Sequence, residues 1–167
     1  LLGAYAARTL DAPLDALVES HLDMKADNRA YVAALEAANG VFLADLDPVP
    51  LTGRDRRLVN IFAMRETDRL APMPAALRRY VGCGLSQLPW RAVLSGVEQA
   101  VIAEGGFGEA CFLRCRAGKR FRWHAHTGLE AILVLKGGFS NEQGHYEAGD
   151  IAIADESCIH RPVVDDA

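Results

Sequence analysis

Three histidines and one glutamate form the clearest chemical pattern in this sequence. In "GKRFRWHAHTGLEAILVLKG", residues 118–137, His124 and His126 stand one residue apart and Glu130 follows four positions later. Alternate side chains of a β-strand point to the same face, so the two imidazoles share a face with their backbones about 7 Å apart. The "HTGLE" segment is short enough to turn the chain back as a hairpin, which places Glu130 beside them.

A third imidazole, that of His160, is expected at the same place. The segment "AGDIAIADESCIH" sends a strand out from Gly149-Asp150 and brings the chain back at His160. Three imidazoles and a carboxylate suit zinc, iron, manganese, nickel or copper, with positions left open for water or a ligand. A lone pair of histidines on a strand is more often simply packed or exposed, and His160 alone could be a core histidine. His145, beside a turn, is expected to be exposed.

Residues 1–65 have the periodicity of helices. Asp11 and Pro13 signal the start of one helix, and a second is expected to begin after Asp27 and to end at Asn39-Gly40. A third is predicted over residues 54–64. The side chains predicted to face inward are Leu14, Leu17, Val18, His21 and Leu22 in the first helix, and Tyr31, Ala34, Leu35 and Ala38 in the second. Pro72 and Pro74 then interrupt any helix and mark a domain edge.

From Leu88 onward the pattern has period two, with glycine-containing turns. The candidate strands are residues 90–94, 99–103, 110–115, 120–125, 129–136, 151–154 and 159–164, and residues 141–144 are predicted to be a turn. Many short strands with no helical pattern between them indicate a β-sandwich or barrel. The predicted fold class is therefore α+β, with a helical domain over residues 1–70 and an all-β barrel over residues 71–167.

Composition excludes several functional classes. The net charge of −4 provides no basic field, so direct binding of nucleic acid is not expected. No apolar run is long enough to span a bilayer. The four cysteines lack the C-x-x-C spacing of zinc or redox motifs. Reduced, packed thiols are expected, which favours the cytoplasm.

The spacing around the histidines resembles the first motif of the cupin superfamily, G-x5-H-x-H-x3-E-x6-G, which is matched by Gly118, His124, His126, Glu130 and Gly137. Gly149-Asp150 and His160 resemble the second motif, although Asp155 and Ser157 stand where proline and glycine are common. The resemblance implies a double-stranded β-helix barrel that holds one divalent ion, zinc first and iron, nickel or manganese as alternatives. The implied metal ligands are His124, His126, Glu130 and His160. Cupins commonly pair through their sheets, so a homodimer is also expected.

The order of the two domains narrows the resemblance further. "VESHLDMKADNRAYVAALEAANG" followed by "RRYVG…WRAVLSGVEQAVI" resembles the ChrR-type anti-sigma factors. That family joins a helical zinc-binding domain, which inhibits an extracytoplasmic-function sigma factor, to a cupin-like domain needed for the response to oxidative stress. Its helical zinc signature, H-x3-C-x2-C, is not retained, because His21 is followed by Lys25 and Asn28. A zinc ion in the helical domain is therefore not expected, and His21 is expected to be a partly buried helix residue.

Three interpretations of the β domain remain open. A regulator would use the metal as a sensor, and oxidation of Cys158, near His160, would disturb it. A dioxygenase or isomerase would act on a small carboxylate or diketone, which Arg120 and Arg122 could pair with unless they are simply solvated. A scaffold would keep a vestigial site. No general base or nucleophile stands apart from the ligands, so we assign no catalytic residue and favour the anti-sigma regulator.

Overall fold

A computed structural model describes residues 1–44, 46–47, 73–106 and 108–166. Its helices are α1 (Leu2–Ala6), α2 (Ala12–Met24), α3 (Arg29–Leu43) and α4 (Ala75–Val81), with single 3₁₀ turns at Ala26–Asn28 and Leu85–Gln87. The helix predicted over residues 54–64, Pro72 and the predicted domain edge at residues 70/71 lie outside the described residues.

The start of α2 is confirmed. The Asp11 carboxylate accepts a hydrogen bond from the Leu14 backbone N–H (3.2 Å) and Pro13 lies in the first turn, as expected of an N-cap. Val18, His21 and Leu22 are buried, as the periodicity predicted, and Leu14 and Leu17 are half-buried. The helix therefore presents one apolar face to the rest of the protein.

The inward face and the end of α3 were predicted wrongly. Val32 is the buried residue of this helix and Leu35 packs beside it, whereas Tyr31, Ala34 and Ala38 are exposed. The helix also continues through Asn39-Gly40 to Leu43. A glycine inside a helix costs only about 1 kcal/mol relative to alanine, and the Asn39 amide donates to the Ala6 carbonyl of α1 (3.2 Å), which stabilises the helix where the sequence suggested an end.

Pro74 was expected only to interrupt a helix, but in the structure a helix begins at this residue. It is the N-cap of α4, which ends at Gly82, a residue in the left-handed conformation (φ +73°). Proline is compatible with a helix start because its missing N–H has no partner within the first turn.

The β domain contains ten described strands: β1 (Arg91–Leu94), β2 (Val97–Gly105), β3 (Gly108–Cys115), β4 (His124–Ala125), β5 (Glu130–Leu133), β6 (Gly138–Asn141), β7 (Gly144–Glu147), β8 (Ile151–Ala154), β9 (Ile159–His160) and β10 (Val163–Val164). All pairs are antiparallel. The sheets have the orders β1-β2-β3, β10-β6-β7, β4-β9 and β5-β8.

Three predicted strands are shorter than expected, and one hairpin was missed. Residues 129–136 form a strand only at Glu130–Leu133. Residues 120–125 form a strand only at His124–Ala125, with a single bridge from Arg120 to Val163. Residues 159–164 divide into β9 and β10 around Arg161-Pro162, because proline cannot donate to a ladder. The predicted turn at residues 141–144 connects β6 to β7, and those two strands were not predicted.

Two hydrophobic clusters fix the halves against each other. One lies between the helices and the β2–β3 pair and consists of Ala16, Met73, Leu77, Leu88, Ala100 and Phe112. The other lies among the helices and consists of Tyr5, Ala6, Val18, Leu22 and Val32, and Ile151 of β8 packs against it. Within the described residues, no helix is both long and apolar enough to cross a membrane.

Candidate metal centre

Strand pairing brings His160 next to His124 and His126. His160 of β9 is the register partner of His124 of β4. His126 follows β4 by one residue and Glu130 is the first residue of β5. His124 and His160 lie 36 positions apart in the chain, so the antiparallel pairing is what assembles the centre.

The three imidazoles converge on one point. Nε2 of His160 lies 2.9 Å from Nε2 of His126 and 3.0 Å from Nε2 of His124. One potential ligand atom from each of the three lies within 4.8 Å of the others. His160 is 2% exposed, and the other two rings are half-buried. The cluster is thus closed on the side of His160.

Glu130 lies at the edge of this cluster. Its Oε2 atom is 3.6 Å from His126 Nε2 and 3.9 Å from His160 Nε2. The side chain is 36% exposed. It can therefore reach a shared ion from the solvent side, and its carboxylate lies farther from His160 Nε2 than the two other imidazoles do.

Hydrogen bonds assign the proton positions of two imidazoles. His124 Nδ1–H donates to the Arg122 carbonyl (2.9 Å), which leaves a lone pair on Nε2, directed at the cluster. Histidines that bind a metal through one ring nitrogen commonly donate the N–H of the other nitrogen to a backbone carbonyl in this way. On the other side, the Asn141 amide nitrogen lies 3.2 Å from His160 Nδ1.

The electrostatics of the centre favour neutral imidazole at His160. Burial lowers the pKa of His160, the neighbouring His124 and His126 lower it further, and Glu130 raises it in part. A neutral ring is the form that coordinates a metal.

The residues present fit a divalent ion. Three imidazole nitrogens and a carboxylate oxygen are a ligand set used for zinc and for iron, nickel or manganese. Tetrahedral zinc with bonds of about 2.0 Å separates its ligand nitrogens by about 3.3 Å. The two close nitrogen pairs would have to widen by only about 0.3–0.4 Å to reach this separation.

The other residues considered in the sequence lie outside the cluster. His145, on β7, is exposed and contacts Ser140 Oγ (3.0 Å). Arg120 and Arg122 are exposed and Cys158 is half-buried. The four cysteines are free, and burial raises the pKa of the Cys111 and Cys115 thiols, which disfavours their reactive thiolate form.

His21 is more buried than predicted, and both of its ring nitrogens form hydrogen bonds. It is 7% exposed. Its Nδ1–H donates to the Gly149 carbonyl (2.6 Å), and the Asn28 amide donates to its Nε2 (2.9 Å). Both ring nitrogens are therefore occupied and neither is available to a metal. Lys25 makes ion pairs with Glu147 (3.0 Å) and Asp150 (2.8 Å), so a zinc ion of the kind that the H-x3-C-x2-C signature implies does not fit these residues.

Sequence reasoning did not identify Asn141, nor the contacts of Lys25. Asn141 was part of a predicted turn, a role for which asparagine is common. The only available signal was its position two residues before Gln143 and three before Gly144, whose backbone groups it binds.

This geometry defines a class: a two-part protein in which N-terminal helices pack on a cupin-like β domain with a centre of three histidines. The family described as the ChrR Cupin-like domain matches residues 79–167. Over 174 aligned residues the chain is 37% identical to the Anti-sigma-E factor ChrR of Cereibacter sphaeroides, covering 99% of this chain and 81% of that protein. The chain belongs to the ChrR family of anti-sigma factors.

One solved structure supports this assignment. The crystal structure of Rhodobacter sphaeroides SigE in complex with the anti-sigma ChrR matches with 37% identity and a TM-score of 0.77, covering 99% of this chain and 89% of that one. KdgF from Halomonas sp. matches 49% of this chain and 79% of its own at 21% identity and a TM-score of 0.43, which is too low to support a conclusion. The predicted α+β fold with a cupin-like domain is confirmed.

Proposed function

We propose that this protein is a metal-binding anti-sigma factor whose helical half binds an extracytoplasmic-function sigma factor. The observation that carries the proposal is the similarity over 99% of the chain to a protein solved in complex with SigE. The similarity includes the helical half, even though Lys25 and Asn28 replace the thiolates of the family signature.

The C-terminal part of α3 offers a surface for the sigma factor. Val41, Phe42 and Leu43 are 69%, 79% and 64% exposed. Three consecutive exposed apolar side chains are an unfavourable surface for an isolated helix, and such patches often mark interfaces. The partner that this family binds is the occupant we propose.

The experiment mixes purified protein with the extracytoplasmic-function sigma factor of the same organism at micromolar concentration and follows co-elution by size exclusion. Phe42→Asp is expected to weaken binding at least tenfold, because truncating a central aromatic anchor commonly costs about 2 kcal/mol or more. Leu94→Asp, at an exposed apolar position of β1, is the matched control and leaves binding unchanged. No co-elution of the unsubstituted protein would contradict the proposal.

For the β domain, we propose one divalent ion, zinc in the first place, held by His124, His126, Glu130 and His160. The convergence of three Nε2 atoms supports it. Elemental analysis of protein purified without added metal gives both the identity and the stoichiometry, which we expect to be one ion per chain. Iron, nickel or manganese are the alternatives that the same measurement distinguishes.

In the cell we propose that this protein acts in the cytoplasm, that oxidative damage to the metal centre releases the sigma factor, and that the β domains pair as homodimers. Half-buried Cys158, two residues before His160, is one place where oxidation would disturb the centre. A sigma-dependent reporter exposed to a singlet-oxygen generator tests the proposed response.

Sedimentation of the purified protein measures its molecular mass in solution and so tests the proposed homodimer.

A second candidate is a cupin-type dioxygenase or isomerase acting on a small carboxylate or diketone. It is favoured by the exposed edge of the centre at Glu130, which leaves room for a substrate, and by the exposed Arg120 and Arg122. Oxygen consumption across a panel of such compounds tests it with the iron-loaded protein. Turnover supports the enzyme, and no turnover by the iron-loaded protein favours the regulator.

A further inference from the structure

The β6–β7 hairpin touches the metal centre at one end and the helical half at the other. Its four register pairs run from Asn141↔Gly144, beside His160, to Gly138↔Glu147. The rings of Phe139 and Tyr146 stack between these ends with centroids 5.1 Å apart. Glu147 leads directly into the turn that contacts α2.

At the metal end, the orientation of the Asn141 carboxamide is fixed. Its Oδ1 accepts the backbone N–H groups of Gln143 (2.9 Å) and Gly144 (3.2 Å). The NH₂ group must therefore be the part that faces His160 Nδ1, 3.2 Å away, and it donates to that nitrogen. In this state the neutral His160 ring carries its proton on Nε2, where it donates toward the lone pair of His124 Nε2.

His160 cannot keep this tautomer and also use Nε2 as a metal ligand. With an ion at Nε2, the neutral ring carries its proton on Nδ1, so one proton leaves Nε2 and one is taken up at Nδ1, with no net change. Two N–H groups then face each other across the Asn141 contact. The carboxamide relieves this by rotating to present Oδ1, and it gives up the N–H groups of Gln143 and Gly144.

At the helical end, the hairpin and its following turn make a polar contact with α2 and its C-cap, which we call the docking contact. It consists of the hydrogen bond from His21 to the Gly149 carbonyl and the ion pairs of Lys25 with Glu147 and Asp150. The backbones are close here: a Cβ at Gly149 would lie 2.8 Å from Lys25 Cγ and 3.2 Å from Met24 Cβ. A shift of the hairpin therefore acts on α2 directly.

We propose that the β6–β7 hairpin couples the metal centre to the docking contact, with the Asn141 carboxamide as its two-state element. In the metal-free protein both ends are fully bonded. Metal binding releases the turn at residues 141–144 and weakens the docking contact. This coupling rests on the proposed metal centre and describes its regulation.

The first test concerns the switch. Asn141→Asp supplies two oxygens, so one can accept from His160 Nδ1–H while the other keeps the turn, and we expect metal to bind about tenfold more tightly in a competition titration with a chromophoric chelator. Gln143→Asp is the matched control, because it adds the same charge at an exposed position in the same turn. Equal gains in the two variants would mean that only charge matters and would overturn the role of Asn141.

The second test concerns the coupling. Coupling is reciprocal, so Lys25→Met, which breaks the docking contact, is expected to raise metal affinity about fivefold. In the Asn141→Asp background the same substitution should have no further effect. A Lys25→Met affinity equal to that of the unsubstituted protein contradicts the proposal.

Hydrogen exchange of the unsubstituted protein provides a measurement that needs no variant. Metal loading is expected to speed exchange at the Gln143 and Gly144 amides and in the last turn of α2. Unchanged exchange in α2 on loading overturns the coupling while leaving the metal centre intact. Failure to bind any metal refutes the proposed metal centre itself, so the two failures are distinguishable.

Discussion

His160 is the residue on which the candidate centre depends most. It is buried, its Nε2 contacts both other imidazoles, and its second nitrogen contacts Asn141. By contrast, Glu130 is partly exposed and further away. We therefore expect the imidazoles to supply most of the affinity and the carboxylate to adjust it.

Removing His160 is expected to abolish metal binding. His160→Ala deletes one of the three proposed nitrogen ligands, and metal content in elemental analysis should fall from one equivalent to a trace. His145→Ala is the control, since His145 is exposed and contacts Ser140 outside the cluster. Retention of a full equivalent by His160→Ala would show that the ion binds elsewhere.

The metal-free protein is expected to lose stability on mild acidification. The pKa of His160 is lowered below its ordinary value of 6.5 in the folded protein, so the unfolded chain takes up this proton first. Stability should fall as pH drops below about 6.5 and level off below the folded-state pKa. Thermal unfolding in chelator from pH 8 to 5 measures this, and His160→Gln should flatten the slope.

At the scale of elements, the turn after β7 is where backbone conformation matters most. Gly149 has φ +93° and no space for a side chain beside Lys25 and Met24. Gly137 has a similar left-handed conformation, φ +72°, but no atom of the described residues lies within 4 Å of an added Cβ. Comparing substitutions at Gly149 and Gly137 therefore distinguishes the cost of backbone strain from the cost of a steric clash.

Gly149→Ala is expected to destabilise the protein more than Gly137→Ala. Both variants incur the strain of a left-handed alanine, about 1–2 kcal/mol, and only Gly149→Ala also displaces Lys25 and α2. The free energy of unfolding from urea titration measures the difference. Equal losses in the two variants would indicate that the docking contact adapts without cost.

Some elements could be predicted from the sequence and others could not, and the difference has physical reasons. His124, His126 and Glu130 were predictable because their spacing along two strands and a short connection is a local property, whereas His160 was placed beside them from the turn at Gly149-Asp150 that returns the chain. The face of α3 was not, since Tyr31 and Val32 are both apolar and packing against α1 and α2 decides which is buried. The β6–β7 hairpin was missed because glycines at both of its ends suggested turns alone.

At the scale of the whole molecule, the two halves share a core. The cluster around Met73 and Phe112 includes residues of α2, α4, β2 and β3, and the docking contact joins α2 to the turn at residues 147–150. Its members lie more than 120 positions apart in the chain, and no local pattern predicts such a pairing. These contacts indicate that the helices pack directly on the β domain and do not form an independent domain on a tether.

The docking contact is expected to be sensitive to strong acid. Hydrogen bonding from Lys25 holds the pKa of Asp150 below its ordinary value of 3.8. The contribution is present above pH 3.8 and is lost as pH falls through the lower folded-state pKa. Exchange of the α2 amides between pH 6 and 3, corrected for intrinsic rates, measures the loosening. Asp150→Asn should reduce the pH dependence of this loosening, because the ion pair of Lys25 with Glu147 remains.

The pairing between β4 and β9 has a kinetic consequence. Only two residue pairs, His124↔His160 and Ala125↔Ile159, join these strands. Separating them breaks few backbone bonds and leaves both hydrophobic clusters intact, so the centre can open far more often than the protein unfolds. We therefore expect that the proposed ion can enter or leave the finished protein within the lifetime of its folded state, so that occupancy would follow the free metal concentration of the surroundings instead of being fixed at synthesis.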